Sequence, residues 1–373
     1  MKKNEIVAMV LAGGKGTRLK GLTRKNAKPA VYFGGKYRII DFVLSNLANS
    51  NINKIGLLTQ YETVELNQYT SSGKHWGFDG NNSSFTLLSP REKEEGSYWY
   101  KGTADAIYQN LDFLESLSPE YVLIASSDHI YKMNYSKMLD FLKQRGGDVA
   151  IAAIEVEKEE ISRFGILTTD ENLQITSFVE KPKHSDSNKA SMGIYIFRFK
   201  TLVEALRYDA RQEDSSHDFG KDIIPYLLKK NRKIYAFPFY GYWRDVGTIA
   251  SLWKANMDLV DDIRTLDLYE MNSTFKVYSE DTRSLPQYIG ANAEVKRSLV
   301  NQGSSIFGKV EHSVIFTNVV VEEGAEIYDS VLMPNVSVKR GAVIRKAIIA
   351  NGVTIEEDRK INEACEEIAL IER

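Results

Sequence analysis

A single cysteine, Cys365, excludes an internal disulfide framework and a cysteine-rich metal site, and predicts a reducing, cytoplasmic setting. Charge of one sign is also missing. Lys plus Arg number 48 against 50 Asp plus Glu, a formal net charge of -2, so no global field draws nucleic acid or an anionic membrane. Any phosphate site must therefore be local. No stretch approaches the ~20 uninterrupted apolar residues that a membrane helix needs. The apolar run after Lys2 and Lys3 mimics a signal peptide, but the following Lys15, Arg18 and Lys20 and the early glycines suit a strand and turn.

What is present is ordinary globular material, 43% hydrophobic and 26% charged, enough for sizeable cores. At 373 residues the chain exceeds the roughly 250 to 300 at which single cores stop growing, which predicts one large domain and one smaller. Continuous apolar runs at 6–12, 54–59, 121–125 and 148–155 are typical of parallel strands buried on both faces. Between them, 39–50 and 103–116 carry apolar residues at helical spacing. This alternation predicts an α/β, doubly wound, mostly parallel nucleotide-binding sheet over 1–257, with 258–284 as a connecting segment, helical at its start.

From 285 to 373 the texture changes. Small apolar residues return every six positions: Ile315, Val321, Ile327 and Met333 form one row, and Val319, Ala325, Val331, Ser337, Val343 and Ile349 a second. A hexapeptide period is the signature of a parallel, left-handed β-helix, with an irregular β-sandwich as the alternative.

The segment LAGGKGTRLKGLTRKNAKPA (11–30) follows the first strand, where open α/β sheets place ligands. Gly13, Gly14 and Gly16 free backbone N–H groups to face phosphate oxygens, and Arg18 and Lys28 add cations suited to polyphosphate. A glycine-rich turn alone is equally a plain tight turn. Asp128, directly after an apolar strand, and Asp245, in a polar turn after Tyr242 and Trp243, are either caps or metal ligands.

GxGTRL followed by LT and AKPA is far more specific, and it resembles the pyrophosphorylase signature of nucleotidyltransferases. YRIIDFVLSN (37–46), LLTQY (57–61), WYKGTADAIYQN (99–110), DHIYKM (128–133), SRFGI (162–166), FVEKP (178–182), ASMGIYIF (190–197), SSHDFGKDIIP (215–225) and YWRDVGT (242–248) extend it over almost all of the chain. The whole resembles the bacterial glucose-1-phosphate adenylyltransferase (ADP-glucose pyrophosphorylase) family. That resemblance implies transfer of the AMP part of ATP to glucose 1-phosphate, giving ADP-glucose for glycogen synthesis and releasing pyrophosphate.

It also implies the site. Asp128 and Asp245 surround Mg²⁺, as two hard oxygen ligands can. Arg18, Lys28 and the Gly13, Gly14, Gly16, Thr17 turn hold the triphosphate. Gln60, Gly102 and Thr103 lie by the base, and the Gln60 and Trp99 loops relay an activator signal. Glu180, Lys181, Tyr100, Gly165, Ser191, Asp218 and Trp243 form the glucose-1-phosphate pocket. The family also implies a homotetramer, or a heterotetramer with a paralogous subunit, under a small-molecule effector, and neither nucleic acid nor membrane as partner.

One position departs from the pattern. The family places glycine before the metal aspartate, and here Ser127 adds bulk where backbone could need to approach phosphate. Two rival functions follow from the residues: a weakly active regulatory subunit, and an acyltransferase read from the repeats alone, for which His312 is the lone histidine on the coils. A sugar nucleotidyltransferase using another nucleoside triphosphate is a third.

Overall fold

The structure, a computed structural model, describes residues 5–14, 16–61, 64–90, 92–93, 96–97, 99–268 and 275–372. Lys2, Lys3, Lys15, residues 269–274 of the connecting segment and Arg373 lie outside the described residues. Among the described residues no helix is long and apolar enough to cross a membrane.

A nine-stranded sheet organises the first part. Its strands are β1 (Ile6–Ala12), β2 (Lys54–Thr59), β3 (Ser84–Leu88), β4 (Tyr121–Ser126), β6 (Val149–Glu155), β7 (Gly165–Thr169), β8 (Ile175–Glu180), β9 (Lys189–Arg198) and β10 (Ile234–Pro238), while β5 (His129–Tyr131) and β11 (Trp243–Asp245) form a separate ribbon. The order is β8-β7-β9-β4-β1-β2-β3, with β6 between β9 and β10. β1 lies parallel between β2 and β4, with Val10 opposite Leu57 and Met9 opposite Ile124. Its Val7 to Val10 are fully buried because helices cover both faces of the sheet.

Not every apolar run is parallel to its neighbours. β9 runs antiparallel to both β4 and β6, so the sheet is mixed. An apolar run reports burial on two faces, and strand direction leaves no trace in it. α1 (Ile39–Asn49) falls where its spacing predicts. The second predicted helix is two, α2 (Thr103–Tyr108) and α3 (Leu111–Leu117). Between them the Asn110 amide donates to the Ala106 carbonyl at 2.9 Å and the Tyr100 hydroxyl at 3.1 Å.

Beyond residue 287 the chain winds into a three-sided parallel β-helix whose faces are three five-stranded parallel sheets. Lys309 pairs with Glu326, Glu326 with Val343 and Val343 with Lys360, so those coils take 17 residues. The inward rows therefore run Val310, Ile327, Ile344, Ile361 and Ile315, Leu332, Ile349, all buried. An unbroken count of six drifts off them. Ser337 and Val343 from the predicted second row are only half-buried, because each of these coils is one residue short of three hexapeptides.

α4 (Ile249–Asp261) joins the two parts. One face of it lies with Leu19, Phe33 and Phe42 of the sheet domain and Val314, Phe316, Val331, Met333 and Ile348 of the coils in one apolar cluster. Trp253 donates its indole N–H to the Asp329 carbonyl at 2.7 Å. The two ring nitrogens of His312 contact Asp329 at 2.6 Å and Asp261 at 2.9 Å. His312 thus clamps the coils to α4, with both ring nitrogens engaged by carboxylates.

Candidate active site

A cavity of about 770 Å³ opens at the carboxyl ends of β1, β2 and β4. Gly13, Gly14, Arg18, Lys28, Gln60, Tyr100, Gly102, Thr103, Asp128, Gly165, Glu180, Lys181, Ser191, Asp218 and Asp245 all line it. Three predicted residues do not. Gly16 forms the left-handed corner of the turn (φ 61°), and Thr17 starts the following helical turn, exposed to solvent. Trp243 stands behind the wall, its ring 5.0 Å from that of His129 and 5.2 Å from that of Phe164.

The β5–β11 ribbon explains how remote aspartates meet. Antiparallel pairing sets Asp245 opposite His129, the residue after Asp128. Lys28, only 5% exposed, reaches between the two carboxylates, 2.9 Å from Asp128 Oδ2 and 3.2 Å from Asp245 Oδ1. Burial works against the lysine's charge, but the carboxylates outweigh it and raise its pKa. Burial likewise opposes ionisation of Asp128. His129, Lys28 and a hydrogen bond from Ser126 overcome it and hold the acid well below the usual carboxylate range. Asp245 is also lowered, chiefly by Lys28 against the cost of burial.

One ligand atom from each of Asp128, His129 and Asp245 lies within 4.8 Å of the others. Two hard carboxylate oxygens at this separation suit a divalent cation, and the Lys28 ammonium already shows that a cation is stable between them.

The opposite wall carries the Glu180–Lys181 pair, Lys181 Nζ lying 3.1 Å from Glu180 Oε1. Lys181 adopts φ 49°, and its amide bonds to the Phe164 carbonyl, which sets its half-exposed side chain at the cavity rim. Asp218 caps the turn at Phe219, accepting from the Gly220 and Lys221 amides at 2.9 and 3.1 Å, and takes the Thr103 hydroxyl at 3.0 Å. Tyr100 turns its hydroxyl to the Leu88 carbonyl and Asn110, so it presents ring surface to the cavity. Gln60 donates to the Tyr61 hydroxyl at 2.9 Å, and Tyr61 stacks on Trp99 at 5.3 Å.

Sequence reasoning missed residues that the geometry brings in. Arg163 lines the cavity and donates to Asp245 Oδ2 at 2.9 Å, so Asp245 is gripped from both sides. Gly247 leaves space that Arg18, Asp245 and Lys28 share: a Cβ there would stand 2.8 Å from the guanidinium and 2.9 Å from the carboxylate. Both sit inside motifs already quoted, SRFGI and YWRDVGT. Their roles are set by partners distant in sequence, which no local pattern reports.

The Ser127 departure is also resolved. Its hydroxyl donates to the Leu11 carbonyl at 2.7 Å and its amide to the same oxygen at 3.1 Å, so the side chain turns toward β1. Its φ is not positive, so the backbone has no need of glycine here. Ser127→Gly is expected to change kcat by less than about twofold while costing about 1 kcal/mol of stability, the net worth of a buried hydrogen bond. Thermal unfolding beside a turnover assay measures both, and a tenfold loss of kcat would contradict this placement.

The comparisons with known proteins agree with this geometry. Residues 7–262 match the nucleotidyl transferase family model, and 283–368 match the GlmU-like C-terminal hexapeptide model. The chain is 53% identical to the glucose-1-phosphate adenylyltransferase of Bacillus mycoides over 328 residues, covering 88% of this chain and 87% of that one. It is 55% identical to the glucose-1-phosphate adenylyltransferase of Clostridium acetobutylicum over 321 residues, covering 86% and 84%. With the turn, the paired aspartates and the coils in place, the chain belongs to the glucose-1-phosphate adenylyltransferase family of nucleotidyl transferases.

Proposed function

We propose that this chain couples ATP to glucose 1-phosphate, releasing pyrophosphate and forming ADP-glucose. The observation that carries the reading is one cavity with a glycine turn, two cations and two aspartates on one wall and the Glu180–Lys181 pair on the other. Arg18 and Lys28 hold the triphosphate, with the Gly13 and Gly14 amides beside it. Lys181 pairs with the sugar phosphate. Glu180 and Ser191 accept from sugar hydroxyls, while Asp218 fixes the Thr103 turn beside the base. Gln60 and Gly102 complete the base pocket.

Asp128 and Asp245 would hold Mg²⁺, which supplies neutralising charge for the leaving pyrophosphate. The sugar phosphate is already an anion, so no protein base is needed. The side chains orient it in line with the α-phosphorus and screen charge. The reading includes a tetramer and an effector that is a sugar phosphate or adenine nucleotide.

The test is pyrophosphate release from ATP, UTP, dTTP and GTP with glucose 1-phosphate and Mg²⁺. ATP is expected to exceed each rival in kcat/KM by at least about tenfold, as a site hydrogen-bonded to one base should. Equal use of UTP or dTTP would sink the adenylyl assignment. No turnover despite ATP binding would favour the regulatory-subunit reading instead.

A further inference from the structure

After its last rung the β-helix reaches back to the nucleotide turn. The final strand, Ala369–Ile371, pairs with Ala347–Ile349 and thereby aims the next residue, Glu372, at the catalytic domain. Glu372 Oε1 accepts the backbone N–H of Gly21 at 2.7 Å, and Oε2 lies 3.6 Å from the Arg24 guanidinium. The approach is so close that a Cβ on Gly21 would stand 2.0 Å from the Glu372 carboxyl carbon. Gly21 has no positive φ, so the glycine here makes room and does not relieve backbone strain.

The turn it grips runs Thr17–Thr23 and carries Arg18 into the cavity. Internally the turn is kinked, with Lys20 at φ 52° and ψ -127°, and Thr23 braces it by donating its hydroxyl to the Gly16 and Lys20 carbonyls. Its underside, Leu19 and Leu22, packs into the cluster that holds Val314, Phe316, Ile348 and, at its edge, Leu370 of the coils. Coil contacts thus secure the turn from below by apolar packing and at its peptide backbone by a charge-assisted hydrogen bond.

We infer that Glu372 is a positioning residue for nucleotide binding: it fixes the Thr17–Thr23 turn so that Arg18 faces the triphosphate. This rests on the proposed role of Arg18. A carboxylate acceptor on a backbone amide restrains the peptide plane. Without it the kinked turn samples other orientations, and ATP must select the competent one.

The test uses the full chain carrying Glu372→Ala, Glu372→Gln or Gly21→Ala, with KM for each substrate and equilibrium ATP binding by calorimetry. Glu372→Ala and Gly21→Ala, whose methyl would evict the carboxylate, are expected to raise KM and Kd for ATP about tenfold, the worth of one hydrogen bond to a charged group. KM for glucose 1-phosphate should stay unchanged. Glu372→Gln keeps a neutral acceptor without the charge, so its ATP constants should fall between those of the parent and Glu372→Ala. A merely structural contact would lower the melting temperature and leave both ATP constants alone. Parental ATP constants in Glu372→Ala, or equal shifts for both substrates, overturn the inference. Because calorimetry reads ATP without turnover, the result stands apart from failure of the proposed reaction, which would show as no pyrophosphate from the parent chain.

Discussion

Asp245→Asn should lower kcat for pyrophosphate release by about 10² to 10³, the usual cost of removing one electrostatic stabiliser from a preorganised site. The substitution keeps the volume and loses more than charge. Asp245 receives Lys28 on Oδ1 and Arg163 on Oδ2, and asparagine offers only one oxygen. Its amide NH₂ must therefore face one of two cations, donor against donor, which pushes the buried Lys28 ammonium or the half-buried Arg163 guanidinium away. The Mg²⁺ concentration giving half-maximal rate should rise in parallel, since one of two carboxylates has become a neutral ligand. A variant within threefold of the parent in kcat would remove Asp245 from the chemistry. Asp128→Asn should behave alike in direction.

Ending the chain at residue 284 should yield aggregated or insoluble protein with no measurable pyrophosphate release. The cluster around α4 takes Val314, Phe316, Val331, Met333 and Ile348 from the coils and packs them on Leu19, Phe33 and Phe42. At about 1.5 to 3 kcal/mol for each such side chain, on the order of 10 kcal/mol of burial disappears, comparable with a whole domain's stability. The catalytic domain would also present that face to solvent as a contiguous apolar patch. Solubility and size-exclusion chromatography read the result directly. A monodisperse, fully active fragment would show that the two parts fold independently.

Much of this was legible in sequence because local chemistry carried it. The apolar runs gave the strands, the glycines after β1 gave the turn that lines the cavity, and the family motifs contain nearly every cavity residue. What sequence missed was relational. The reversal of β9 is invisible to periodicity, since a strand reads as apolar in either direction. The six-residue count gave the β-helix but misassigned Ser337 and Val343, because a 17-residue coil shifts register gradually. Trp243 lies in a site motif yet packs behind His129, a distinction only side-chain direction makes. Arg163 and His312 found their aspartates across 82 and 51 residues of chain, and no motif spans that distance.

The β5–β11 ribbon has a consequence for synthesis. Lys28 lies 100 residues from Asp128 and 217 from Asp245, so the nascent chain holds the lysine and the first aspartate long before the second exists. Asp245 follows Asp128 by 117 residues, so at about 5 to 20 residues per second translation leaves a lag of roughly 6 to 23 s during which Lys28 has only one acid to pair with. Glu372, 351 residues from Gly21, emerges later still. A ribosome-bound chain halted before β11 should therefore lack the second of the two carboxylates between which Lys28 sits, and with it the paired-acid geometry of the cavity.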